Sequence, residues 1–229
     1  MLWTRSLALL AVLAVFAPAP TAWALSIDDF ADDQVVAIPI GPPTPQTHTS
    51  PAIPVPLGDR SIELTRTEGF GSASADVNLT QEGRFSLSTG PGVLADALLT
   101  YGIFGTADVT DGGASQVLEL AARSDLDATI SVSFLSGGGA DVSSVDLALT
   151  GTGTGSSDPY QFLTVGLGDL VGSADLTQVE EILLAVSGPA SLDLQIDFVR
   201  TVPIPLPEPG SLALLGLGLG ALLYVRTRA

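Results

Sequence analysis

Through the middle of the chain, apolar residues recur at every second position, and that period decides what the chain can fold into. In "SLDLQIDFV", Leu192, Leu194, Ile196 and Phe198 alternate with Ser191, Asp193, Gln195 and Asp197. Successive side chains of an extended strand point to opposite faces, so the stretch offers one face to a core and the other to water. The same alternation runs through Ile130, Val132 and Phe134 in "ATISVSF" and through Val145, Leu147 and Leu149 in "VDLAL". Shorter pieces of it lie in "SIEL", "ADVNL" and "RFSLS". Glycine-rich breaks such as "SGGGAD" and "TGTGTGSSD" separate these strands at spacings suited to a sandwich or barrel. Helical periodicity is nearly absent between the two ends, and no internal repeat stands out. The expected fold is all-β, an antiparallel β-sandwich built as one domain over residues 25–202.

Such a domain must stand on its core alone. The chain has no cysteine, so disulfides, thiolate catalysis and cysteine-zinc sites are excluded. Roughly 180 residues between the ends are enough to bury a core without staples. One stretch departs from the pattern. Prolines at positions 39, 42, 43, 45, 51, 54 and 56 remove backbone donors and favour extension, which predicts a surface loop over residues 38–57. Its alternative is a spacer that would leave "LSIDDFADD" as a separate tail.

Charge narrows the partners. The formal net charge is -17 and there is no lysine; between Leu25 and Leu206 the only cations are Arg60, Arg66, Arg84, Arg123 and Arg200. Binding to nucleic acid or anionic lipid depends on lysine and arginine, so a nucleic-acid partner is excluded. Acidic residues spread along a chain suit solubility and divalent cations.

Catalysis fares no better. The single histidine, His48, sits in "PQTHTSP", a poor place to hold a general base. Without cysteine, lysine or a second histidine, the usual nucleophile and base arrangements cannot be assembled. Paired carboxylates remain, but Glu180 and Glu181 are adjacent and cannot both face one side of a strand. The reading is a non-enzyme.

The ends carry targeting signals. "MLWTRSLALLAVLAVFAPAPTAWA" has a basic start at Arg5, an apolar run from Leu7 to Ala17, and an A-x-A cleavage site at Ala22, Trp23 and Ala24. It reads as a secretory signal peptide over residues 1–24, removed by signal peptidase. The other end, "PLPEPGSLALLGLGLGALLYVRTRA", places an uncharged leucine- and glycine-rich run before Arg226 and Arg228. That run is expected to form a short hydrophobic, membrane-spanning helix over about 209–225, with the arginines held on the cytoplasmic side. A buried core helix is the alternative reading.

A signal peptide, then Pro207, Glu208 and Pro209, then a glycine-rich apolar run and terminal arginines, resembles a PEP-CTERM protein. The resemblance covers residues 203–229. It implies that a membrane exosortase recognises Pro207, Glu208 and Pro209 and cuts near them. The body would then pass to the cell surface or extracellular matrix of a bacterium that makes exopolysaccharide. Leu206 stands where the common motif has valine. The tail would act as a removable address, as other C-terminal hydrophobic tails do.

The body also resembles, in the order of "SIDDFADDQ", "GDRSIELTR" and "DLTQVEEILLAVSG" before "SLDLQIDFV", secreted jelly-roll domains of the galactose-binding-like and carbohydrate-binding-module kind. In such domains the first and last strands lie side by side. That resemblance would bring Asp28 and Asp29 towards Asp193 and Asp197, an oxygen set suited to a structural calcium ion. Two functions follow. The first is a structural matrix protein; the second is a glycan-binding adhesion module, with exopolysaccharide as partner. Sugar rings stack on exposed aromatic faces. Tyr160 with Asp158 in "SSDPYQF" is the candidate contact, Phe134 and Phe198 being assigned to the core by alternation.

Overall fold

The computed structural model describes residues 24–41, 45–79, 82–113, 115–153 and 159–203, and Trp23–Pro203 form one compact unit. Ala24 is exposed just before the first strand, whereas Ala22, Asp158, Pro207, Glu208, Pro209, Arg226, Arg228 and the apolar tail lie outside the described residues. In chain order the strands are β1 (Leu25–Asp28), β2 (Gln34–Ile38), β3 (Gln46–Thr49), β4 (Ile53–Val55), β5 (Gly58–Glu68), β6 (Ala73–Val77), β7 (Phe85–Thr89) and β8 (Leu94–Ala107). They continue as β9 (Ser115–Ser124), β10 (Ala128–Ser136), β11 (Asp141–Leu149), β12 (Gln161–Gly166), β13 (Val171–Gly172), β14 (Val179–Ser187) and β15 (Asp193–Pro203). Among the described residues the only helical turn is the 3-10 turn Leu167–Asp169.

These strands make two antiparallel sheets. The first, of seven strands, runs β12, β9, β15, β7, β6, β2, with β1 also against β15; the second, of eight, runs β13, β11, β10, β14, β8, β5, β3, with β4 also against β5. The chain crosses repeatedly from one sheet to the other, as between β7 and β8 or β9 and β10, which is the jelly-roll form of a sandwich. The first and last strands do lie side by side, with Leu25 opposite Thr201.

The period-two pattern explains the core. Ile130, Val132 and Phe134 of β10 are buried in the same core as Phe85, Leu87 and Ile196 of the other sheet's strands. Burying each side chain contributes about 1.5–3 kcal/mol.

The proline-rich stretch is not a loop throughout. Gln46 to Thr49 pair with Arg66 to Glu63, and Ile53 to Val55 pair with Arg60 to Gly58. Both short strands lie at the sheet's edge, where a proline such as Pro54 can sit without breaking an interior ladder. Pro56 and Leu57 form the tight turn from β4 into β5. Gly58 follows because a Cβ there would lie 2.0 Å from the Gly102 carbonyl oxygen on β8. His48 is held on β3, where its Nδ1 donates to the Ala37 carbonyl oxygen at 2.8 Å.

A polar cluster crosses the core between the sheets. Arg60 on β5 is fully buried and donates to Asp28 Oδ2 on β1 at 2.5 Å, to Gln34 Oε1 at 2.9 Å and to the Asp32 carbonyl oxygen at 2.7 Å. Tyr101 on β8 donates its hydroxyl proton to the same Asp28 oxygen at 2.9 Å. The Phe30 amide donates to Asp28 Oδ1 at 2.7 Å, which helps hold Phe30 at φ 54, a left-handed conformation that costs a bulky residue about 1–3 kcal/mol. A buried charge is tolerated when it is paired and hydrogen-bonded in this way.

Candidate functional site

The outer face of the seven-stranded sheet differs from the rest of the surface, and its difference begins with a bulge. Along β15, Leu194 and Ile196 point into the core as alternation requires. The register then slips between Ile196 and Phe198, and Val199 takes the next inward place. One extra residue in a strand reverses the side-chain sequence beyond it. Phe198, expected in the core, therefore stands on the outer face opposite Ala121 of β9.

Phe162 of β12 pairs with the same Ala121 from the other side. Strands β12 and β15 are two spacings apart, about 9–10 Å, yet the two phenyl centroids are 6.2 Å apart and tilted by 48°. The rings thus lean together over Ala121, which is buried, while Phe162 remains 65% exposed. Leu163 and Val165 take the inward side of β12, so the alternation within "QFLTVG" places Phe162 outside.

Arginines surround this pair. The Arg200 guanidinium lies over the Phe198 ring at 4.3 Å and bonds Glu119 Oε2 through Nη2 at 2.6 Å and Nε at 2.8 Å. Arg123 donates to Gln195 Oε1 at 2.6 and 2.9 Å. Tyr160 folds over that pair: Arg123 and Arg84 lie 4.7 and 5.3 Å from its ring centroid, and its hydroxyl is 3.4 Å from Gln195 Oε1. Arg84 also reaches Asp197 Oδ1 at 3.4 Å. Burial raises the Tyr160 phenol above its ordinary range, and the two guanidinium charges pull against that shift. Cations over ring faces are attracted by the ring quadrupole.

The five arginines of the body are thereby sorted. Arg60 and Arg66 are fully buried, Arg66 donating to the Pro39 and Gly71 carbonyl oxygens and to Gln46 Oε1. Arg84, Arg123 and Arg200 all lie on one sheet face beside Tyr160, Phe162 and Phe198.

The four carboxylates expected as calcium ligands have separate duties. Asp28 is buried against Arg60 and Tyr101, and Asp29 accepts from the Ala31 amide at 3.3 Å. Asp193 accepts from the Ser88 hydroxyl at 2.6 Å, and Asp197 pairs with Arg84. Strand β1 does approach β15, but its pairing turns Asp28 inward to the core. Among the described residues no three histidine or acidic side chains come together as a metal would require.

A concavity lies on the other sheet. A cleft of about 550 Å³ is lined by Asp96 of β8, Asp127, Thr129 of β10, Ala148 of β11, Thr150 and Ser187 of β14. Burial raises the Asp96 carboxyl above its ordinary range. No aromatic residue and no arginine lines it.

No protein-family model matches the chain, and no curated protein matches it. Solved structures do. The family 11 carbohydrate-binding module of a cellulosomal cellulase of Clostridium thermocellum is 8% identical, with a TM-score of 0.43 over 80% of this chain and 96% of that one. An exo-beta-agarase is 12% identical, with a TM-score of 0.44 over 80% of this chain and 25% of that one. A carbohydrate-binding module of Clostridium stercorarium, solved with cellobiose, is 18% identical, with a TM-score of 0.33 over 53% of this chain and 76% of that one. At such scores and identities the likeness carries nothing about ligand or activity.

Proposed function

We propose that this chain is a secreted, non-catalytic surface or matrix protein whose body binds glycan through the outer face of its seven-stranded sheet. The observation that carries the binding is the exposed Phe162 leaning against Phe198, with Arg200, Glu119, Arg123 and Gln195 beside it. A sugar ring has an apolar face that stacks on aromatic carbon and a rim of hydroxyls that need donors and acceptors, and this surface offers both. The sequence of the two ends supports export and exosortase sorting at Pro207, Glu208 and Pro209. The body would then be released or displayed at the cell surface among exopolysaccharide.

Affinity electrophoresis tests the binding. Residues 24–203 form a unit with its own core and should be retarded in gels containing the host's exopolysaccharide. The Phe162→Ala, Phe198→Ala double variant should migrate as in plain gel. Equal retardation of both proteins would remove this face from the reading. Sorting is tested separately with the full chain in the host: Glu208→Ala should leave the protein uncleaved in the membrane fraction, and normal processing would exclude that role for the motif.

A further inference from the structure

We infer that the glycan taken by this face is acidic, a polysaccharide bearing uronate carboxylates; the inference rests on the glycan-binding reading above. The first ground is charge. In a chain of net charge -17 without lysine, the partly exposed Arg84 and Arg200 stand on this one face, with the nearly buried Arg123 beneath Tyr160. Elsewhere the surface repels a polyanion, so an acidic chain is steered to the arginines and aligned there.

The second ground is geometry. Arg200 uses its Nε and Nη2 edge on Glu119 Oε2 and is held flat on Phe198, with 39% of its side chain exposed. Its described contacts leave the Nη1 donors uncommitted. A guanidinium presents its donors as planar forks that match a carboxylate in two parallel bonds. A uronate can therefore dock on the outer edge of Arg200 while Glu119 holds the inner one. Phe162, one strand beyond Ala121, then lies under the neighbouring sugar. Arg123 lies further along β9, and Arg84, just before β7, reaches Asp197 of β15; both lie against Tyr160. With Arg200 they line the face along the strands, the direction a linear polymer would follow, Glu119 and Asp197 pairing with two of them.

The ligand must be a sugar and not a bare anion because the arginines are interleaved with aromatic surface. Neutral glycans would find the same rings but would offer no carboxylate to the outer edge of Arg200.

Calorimetric titration of residues 24–203 tests this with an oligogalacturonate and with the same oligomer after carboxyl reduction. The acid form should bind at least about tenfold more tightly, and its affinity should fall as salt is raised. Arg200→Gln, which removes the charge and the guanidinium fork but keeps a polar amide, should lower affinity for the acid form about tenfold and that for the reduced form by much less. Thermal unfolding of the variant checks that the fold is intact. Equal, salt-independent binding of both oligomers would overturn the acidic specificity and leave the glycan reading standing. Binding of neither would overturn both. Acid-form binding that is indifferent to Arg200→Gln would overturn the proposed site.

Discussion

Arg60 and Arg200 sit on strands of the same sandwich, and each is laid against an aromatic ring and a carboxylate. Arg60 lies 5.8 Å from the Phe30 centroid and bonds Asp28; Arg200 lies 4.3 Å from the Phe198 centroid and bonds Glu119. The side chains of the first pair are 0% and 1% exposed, those of the second 39% and 17%. The same constellation is structural in one place and available to a ligand in the other. What separates them is depth. In the core, Gln34, Asp32 and Tyr101 also bond the pair, which is closed off from solvent. On the face, the ring supports the guanidinium from below and water meets its outer edge.

The largest effect should come from breaking the inner pair alone. Arg60→Met leaves Asp28 buried without its cation, which costs about 3–5 kcal/mol, whereas pairing it with Asp28→Leu should recover much of that loss. Urea denaturation of the single and double variants measures both. A single variant as stable as the parent would show that the cluster is hydrated and would erase the contrast in depth.

Alkali separates the two tyrosines next. Burial first, and then the Asp28 charge, push the Tyr101 phenol well above 10.0, against an opposing pull from Arg60. The unfolded phenol ionises near 10.0 while the folded one keeps its proton. Its stabilisation is therefore complete below that pH and is lost as pH rises towards the folded value, at about 1.4 kcal/mol per pH unit. Tyr101→Phe should flatten the fall in stability above pH 10, seen in denaturation midpoints. Tyr160→Phe, on the outer face, should flatten it much less, and an equal effect would place Tyr160 as deep as Tyr101.

The surface pair should matter less to stability. Arg200→Ala is expected to cost about 0–1 kcal/mol by the same denaturation measurement, as for exposed ion pairs. A loss like that of Arg60 would show that the face is held by its charges and is no more adaptable than the core.

How much of this contrast the sequence shows depends on the element. Alternation in β10 and β11 reads directly because each inward residue has an outward neighbour on an unbroken ladder. The bulge at Ile196 and Phe198 is invisible to alternation, and it moves an aromatic residue from core to surface. Nothing in the sequence sets Arg60 and Arg66 apart from the other three arginines, since composition says nothing of the buried acceptors that receive them. Asp28, the partner of Arg60, comes from a strand that only the folded topology brings near, whereas Gly71 lies close to Arg66 in the connection from β5 to β6. The proline-rich edge strands escape a reading that weighs proline against pairing, because an edge needs only part of the ladder. Phe162 was legible: Leu163 and Val165 claim the inward side, which leaves the ring outside.

The smallest effect lies on the opposite face, and it decides whether the first face is special. Asp96 has its carboxyl raised by burial, so its charged form is disfavoured in the folded state. That stabilisation is complete below the unfolded value of 3.8 and is lost as pH rises through the folded one, leaving a penalty at neutral pH. Solvent screening keeps the penalty small, so Asp96→Asn should raise stability at pH 7 by about a few tenths of a kcal/mol, with the gain gone in strong acid. Denaturation at the two pH values measures it. The same variant should bind polysaccharide as the parent does, because its cleft has no ring to stack a sugar and no cation to hold an acid. If binding instead falls with Asp96→Asn and survives Phe162→Ala, the ligand lies on the eight-stranded sheet, and the arginines of the other face only balance the acids beside them.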